Sequence, residues 1–189
     1  MEPIFTLPFP EYQVANKLRG LYKPKDGYSI LLPLSRQQKG FDLLIYSSKS
    51  RKATSIQVKS SRSYPGSKNN DHQHYLWYTR FDFKKGVADF YLLFGVYPKS
   101  VSNKKRLDHS RKTSSYDYIY LLLKDKEMAT LLNKIRTKTN KRSVFFEFGF
   151  DPADHKIFLT RGVAKEENYS SSLLENRLNM IKKFLKAGK

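Results

Sequence analysis

Asp42, Gln57 and Lys59 are polar residues set into two apolar runs, GFDLLIY at 40–46 and ATSIQVKS at 53–60. Their groups are a carboxylate, an amide oxygen and an ammonium, and together they could handle Mg²⁺. Mg²⁺ takes hard oxygen ligands and keeps several waters, so one or two protein ligands suffice. A metal held there lowers the pKa of a bound water and neutralises charge on a phosphate oxygen. An ammonium beside it can position the attacking water and stabilise the charge of the transition state. The chemistry needs all three groups on one surface.

A hairpin supplies that surface. Residues 47–52, SSKSRK, are polar and separate two β-patterned runs, so they read as a hairpin loop. Centred there, Phe41 faces Val58, Leu43 faces Ile56 and Ile45 faces Thr54, which makes an apolar face. On the other face Asp42 lies across from Gln57, with Lys59 one position beyond. Cross-strand Cβ atoms are roughly 5 Å apart, so the pairing turns three scattered residues into a cluster. A slip of one residue would put the aspartate among the apolar side chains.

A helix precedes the hairpin. Val14, Ala15, Leu18 and Leu21 recur at helical spacing, Pro10 suits the first turn, and Gly20 and Pro24 bound the end near residue 22. Glu11 falls on the same stripe, where a carboxylate is costly unless something positive meets it.

Further strands are expected at 28–34, 74–83, 87–97, 116–123 and 143–150, and helices at 125–137 and about 171–186. Ser172 and Glu175 have capping-box spacing at the start of the last helix. Residues 61–73 and 98–115 read as loops, the second polar and basic. The order implies an α/β (α+β) chain, a central mixed β-sheet flanked by helices. It reads as a single domain over 1–189: a core at about 10–97, a basic loop at about 98–115 and a C-terminal elaboration at about 116–189.

The charge narrows the partner. There are 36 Lys and Arg against 17 Asp and Glu, a net charge of +19, with 39% hydrophobic residues to build a core. A folded chain this basic meets a polyanion, and nucleic acid leads. There is no cysteine, so disulfides and cysteine-based zinc sites are excluded, in keeping with a cytoplasmic setting. No signal-peptide pattern, membrane-length apolar span or basic amphipathic helix stands out, so no membrane partner is expected. Arg62 and Lys68 follow the hairpin, and Lys104, Lys105, Arg106, Arg111 and Lys112 crowd the basic loop. Lys134, Arg136, Lys138, Lys141 and Arg142 form a third group. Such groups contact phosphate and give affinity without sequence readout.

Three other features have ordinary readings. Asp89 and Asp117 also head apolar strands, and a strand-end aspartate usually faces solvent. His72 and His74 have the spacing of a zinc pair but read as loop histidines. Tyr75, Trp77 and Phe81 alternate along a strand; they could stack on bases, though the core face of the sheet is the commoner place for them.

GFDLLIY…TSIQVKSS resembles the core of the PD-(D/E)XK nuclease superfamily, in its restriction-endonuclease-like and resolvase-like branches, as a D…QxK variant. The resemblance covers about residues 10–62. It implies a restriction-endonuclease-like core and a Mg²⁺-dependent endonuclease, with Mn²⁺ as a substitute, that hydrolyses phosphodiester bonds in duplex or branched DNA and leaves a 5′-phosphate. Asp42 takes the place of the metal-binding aspartate, Gln57 that of the (D/E), Lys59 that of the catalytic lysine and Glu11 that of the helix glutamate. The Val58 backbone carbonyl is implied as a further ligand. A restriction-type enzyme of this size would normally act as a homodimer; repair, junction resolution and a mobile-element protein are the other roles implied. Two departures stand out: Phe41, not proline, precedes Asp42, and Gln57 is neutral. Gln57 keeps open a catalytically inactive nucleic-acid-binding protein on the same fold, and the charge alone would equally suit an RNA-binding protein.

Overall fold

The computed structural model describes residues 9–33, 40–66, 71–79, 83–98, 116–139 and 144–186. These form three α-helices and nine strands: α1 (Phe9–Leu21), β1 (Tyr28–Leu31), β2 (Leu43–Ser47), β3 (Lys52–Pro65), β4 (His74–Tyr78), β5 (Phe90–Pro98), β6 (Tyr116–Lys124), α2 (Asp125–Thr139), β7 (Phe146–Asp151), β8 (Lys156–Arg161), β9 (Glu167–Asn168) and α3 (Leu174–Lys186). The result is a mixed α+β fold whose strands pair mostly antiparallel.

The sheet has two wings that share β3. In the first, β1, β2 and β3 form an antiparallel meander, β5 runs parallel to β3, and β6 returns antiparallel to β5. In the second, the far end of β3 pairs with β4, followed by β7, β8 and β9, all antiparallel. At 14 residues β3 is long enough to serve both wings. Its last residues, Ser63 to Pro65, pair with Leu76 to His74, so the expected loop at 61–73 is strand for its first third. The turn-forming letters there occupy a strand whose outer side is solvated.

Each face of the first wing carries its own core. Val14, Ala15 and Leu18 of α1, with Leu174, Ile181 and Leu185 of α3, cover Leu43, Ile45, Ile56, Val58, Phe90, Leu92 and Phe94. On the opposite face Tyr91, Leu93, Leu121 and Leu123 pack against α2 and against the inner residues of the second wing, among them Leu76, Tyr78, Phe146, Phe148 and Leu159. The side chains alternate in direction along each strand, so one strand feeds both cores. Residues 116–186 thus supply an edge strand of the first wing and most of the second core.

The two ends of the described chain meet. The Tyr22 hydroxyl donates to the Leu178 carbonyl at 2.9 Å, and Lys17 pairs with Glu175 at 3.2 Å, so α3 is fastened across α1. Burial pushes the Tyr22 phenol well above its ordinary pKa, which keeps it a donor. α3 begins at Leu174 behind a 3₁₀ turn at Ser170–Ser172, so Ser172 lies two residues ahead of the helix rather than in the capping box expected for it. Among the described residues no helix is long and apolar enough to cross a membrane.

Candidate functional site at the fork between two strands

The hairpin forms in the expected register. Leu43 pairs with Ile56, Ile45 with Thr54 and Ser47 with Lys52, and the polar turn closes at 48–51. Beyond Leu43 the register changes. The Asp42 N–H donates to the Ile56 carbonyl at 2.9 Å, so Asp42 and Leu43 both address Ile56, in the manner of a bulge. One extra residue reverses which face the next side chain takes. Phe41 therefore packs into the second core instead of joining Leu43 and Val58, as the simple register predicted.

The reversal also re-aims Asp42. Its carboxylate turns toward β3 and accepts the Val58 N–H at 2.7 Å, standing in for a ladder carbonyl where β2 diverges. Asp42 is not directly across from Gln57; it caps the backbone one residue further on. The approach is made by Gly40, at φ +113°, a conformation that favours glycine. A Cβ at Gly40 would meet Val87 Cγ1 at 2.4 Å, so no larger residue fits without a shift.

Gln57 and Lys59 stand next to Tyr91 and Leu93 in the parallel ladder and so share their face, the side of the second core. Both are half-buried. The Lys59 ammonium is near enough to draw the Asp42 pKa down, as does the Val58 N–H; burial outweighs both, and the carboxyl sits above its ordinary value. Val58 faces the opposite core, but its backbone points along the sheet plane toward Asp42. Its carbonyl shares that direction, because the N–H and C=O of a strand residue lie on the same side. The fork therefore brings the Asp42 carboxylate to the Val58 backbone, within electrostatic reach of Lys59, with Gln57 on the same face of β3 as Lys59.

Glu11 is carried by the first turn of α1. It is half-buried on α1, in line with Val14, Ala15 and Leu18, as its spacing predicted. That helix covers the face of Val58, across the sheet from Gln57 and Lys59. Arg62 is exposed, three residues beyond Lys59. Lys134 pairs with Glu167, and Arg136 is exposed. Lys68, Lys104, Lys105, Arg106, Arg111, Lys112, Lys141 and Arg142 lie outside the described residues, as does Phe81, and the side chain of Lys138 is likewise undescribed. Among the described residues no three His, Asp or Glu side chains gather as a metal-binding group. The Asp42 carboxylate, the Gln57 amide oxygen and the Val58 carbonyl are hard oxygens, the ligand type that Mg²⁺ takes.

Two features differ from the expectation. His72 is buried between carboxylates, with Nε2 3.1 Å from Glu166 and Nδ1 3.5 Å from Asp151, and it stacks on Phe158. Gly149 makes room for it, since a Cβ there would lie 2.3 Å from His72 Cδ2. His74 instead stacks on Phe150, which faces the core, and burial lowers its pKa. The two histidines occupy opposite faces and do not form a zinc pair. Trp77 is 42% exposed, because Leu76 and Tyr78 are the residues of β4 that turn inward. Both faces of β4 carry aromatic rings, so alternation alone could not tell which is the core.

Compared with protein-family models, curated proteins and solved structures, the chain matches none.

Proposed function

We propose that the chain is a metal-dependent endonuclease acting on DNA, with its site at the fork between β2 and β3 and a restriction-endonuclease-like arrangement of α1 and the hairpin. The observation that carries this reading is the Asp42 carboxylate, re-aimed by a bulge onto Val58 and lying within electrostatic reach of Lys59. A fork of this kind costs ladder hydrogen bonds and buries a charge, and both costs are accounted for by a ligand that needs the carboxylate.

Asp42, the Gln57 amide oxygen and the Val58 carbonyl would hold Mg²⁺, or Mn²⁺ in its place. When bound, the metal would supply an acidified water and neutralise charge on the scissile phosphate. Lys59 orients that water and takes up part of the charge that develops on the phosphate oxygens. The net charge of +19 holds the polyanion against the site. Glu11, on the helix that covers the Val58 face, would contribute a carboxylate that supports these ligands from behind or holds a second metal.

The neutral Gln57 favours a second reading, in which the fold binds nucleic acid without cutting it. One experiment separates them. Wild type and Lys59→Ala are incubated with supercoiled plasmid, linear duplex, single strands and a four-way junction, with Mg²⁺ or Mn²⁺ and with EDTA. The nuclease reading expects metal-dependent cutting by wild type alone; discrete bands would point to restriction and junction-only cutting to resolution. Tight binding by both proteins with no cutting of any substrate would establish the second reading.

A further inference from the structure

The outer face of the second wing carries a row of rings that the core does not use. Tyr64 of β3 stacks on Trp77 of β4 with centroids 4.7 Å apart and planes 27° apart. Phe145, just before β7, meets the other side of Trp77 edge-on at 6.0 Å. An arginine closes each end. The Arg62 guanidinium lies 5.4 Å from the Tyr64 ring centre, and its Nε donates to the Tyr64 hydroxyl at 3.3 Å. Arg161 of β8 lies 4.4 Å from the Phe145 ring centre. Both arginines are exposed, and among the described residues neither is paired with a carboxylate.

The row is held in place from behind. The Trp77 N–H donates to Ser61 Oγ at 3.0 Å, which extends the β3–β4 pairing past the point where the backbones diverge. Glu147, across the ladder from Trp77, has its carboxylate bound by the Thr160 hydroxyl at 2.8 Å. Arg161 is the ladder partner of Glu147, whose carboxylate is held by Thr160 and makes no salt bridge to it. Flat rings on adjacent strands, flanked by exposed cations that form no salt bridge among the described residues, suit a ligand that alternates flat bases with phosphates. Bases in a duplex are stacked on one another and present no free face, whereas unpaired bases do.

We infer that the Tyr64–Trp77–Phe145 row is a binding site for the unpaired bases of a single-stranded nucleic acid, with Arg62 and Arg161 on its phosphates. The site is separate from the fork and does not depend on whether the fork cuts. Arg62 follows Lys59 by about 10 Å of extended strand and takes the opposite face of β3, so the row and the fork are distinct surfaces.

Trp77 is the protein's one tryptophan, which makes its emission a direct report on this row. Wild-type protein in EDTA is titrated with oligo(dU), oligo(rU) and a blunt duplex of equal charge, reading Trp77 emission and the anisotropy of labelled strands. Saturable quenching by one or both single strands but not by the duplex is expected, and the two homopolymers show whether the sugar matters. Trp77→Ala should weaken single-strand binding about ten- to a hundredfold while leaving duplex binding unchanged, and Trp77→Phe should restore most of it. Arg62→Ala and Arg161→Ala should each lower the slope of log affinity against log salt by about 0.7 for single strands. If Trp77→Ala fails to fold, the wild-type quenching and the arginine slopes decide alone. Equal quenching by duplex, single-strand binding that leaves emission unchanged, or an emission shift that follows protein concentration without nucleic acid would each overturn the proposal. The last would mark the face as a contact between copies of the chain.

Discussion

Asp42 and Asp89 look alike in the sequence. Each stands one residue ahead of an apolar strand, and each gives a carboxylate oxygen to a backbone N–H of β3. Their surroundings differ. Asp89 Oδ2 accepts the Ser55 N–H at 2.8 Å, the Ser55 hydroxyl at 2.9 Å and the Thr54 hydroxyl at 3.1 Å, while the Asp89 N–H returns a bond to Ser55 Oγ at 3.0 Å. This is neither a solvated strand end nor a ligand; it rivets the parallel pair β3–β5 at its start. Asp42 accepts the Val58 N–H, lies beside Lys59, and has its carboxyl raised by burial. A carboxylate closed in by donors is structural, and one left short of them has capacity for a metal or a proton. The donors come from another strand, so the distinction is invisible in the local sequence.

The largest effect that could break this comparison is on cutting. Lys59→Ala should lower metal-dependent cleavage of supercoiled plasmid roughly 10²–10⁴-fold, with Asp42→Ala at least as damaging, while Asp89→Ala leaves the rate per folded molecule intact. Equal losses from Asp42 and Asp89 would erase the difference. On stability the order reverses. Asp89→Ala removes a charge-assisted network and should cost about 2–3 kcal/mol in urea unfolding, more than either substitution at the fork. Glu11→Gln should lower cleavage by about 10- to 100-fold, the effect of a carboxylate that supports a metal site from behind its ligands.

The smallest expected effect is the sharpest test of Asp42. Its pKa is raised on folding, so the folded state holds the proton more tightly, and the native state loses stability as pH rises through the raised value. Asp42→Asn keeps an acceptor for Val58 without the buried charge. Its melting temperature in EDTA should match wild type well below pH ~4, exceed it by a few degrees at neutral pH, and gain that advantage between the two. A variant less stable than wild type at neutral pH would make Asp42 a second clamp.

Much of the fork could be read in advance. Two apolar strands around a polar turn fix the pairs from Leu43–Ile56 to Ser47–Lys52, and helical spacing put Glu11 in line with Val14 and Leu18. The bulge at Asp42 was not legible, because it depends on how the chain enters from Gly40 against Val87. The extension of β3 to Pro65 was hidden by a run of Ser, Arg and Gly letters that occupy a strand end with one solvated side. β8 and β9 are short and joined by turns, and β8 pairs with β7 and β9 with β8 through contacts that no local pattern announces. Periodicity gave the parity of β4 but not the side on which the core would form, and so Trp77 was placed inward.

The bond from Tyr22 to Leu178 bears on when the protein becomes competent during its synthesis. α1, β2 and β3 leave the ribosome early, yet the apolar face behind the fork is covered only when α3 arrives from the far end of the described chain. Contacts at such separation carry a large closure entropy and form late. A nascent chain holding the whole hairpin, with Asp42 and Lys59 in place, would still lack the helix that closes that face. The fork would thus be assembled as translation of this segment is completed, and a half-made copy would leave the apolar face behind it uncovered.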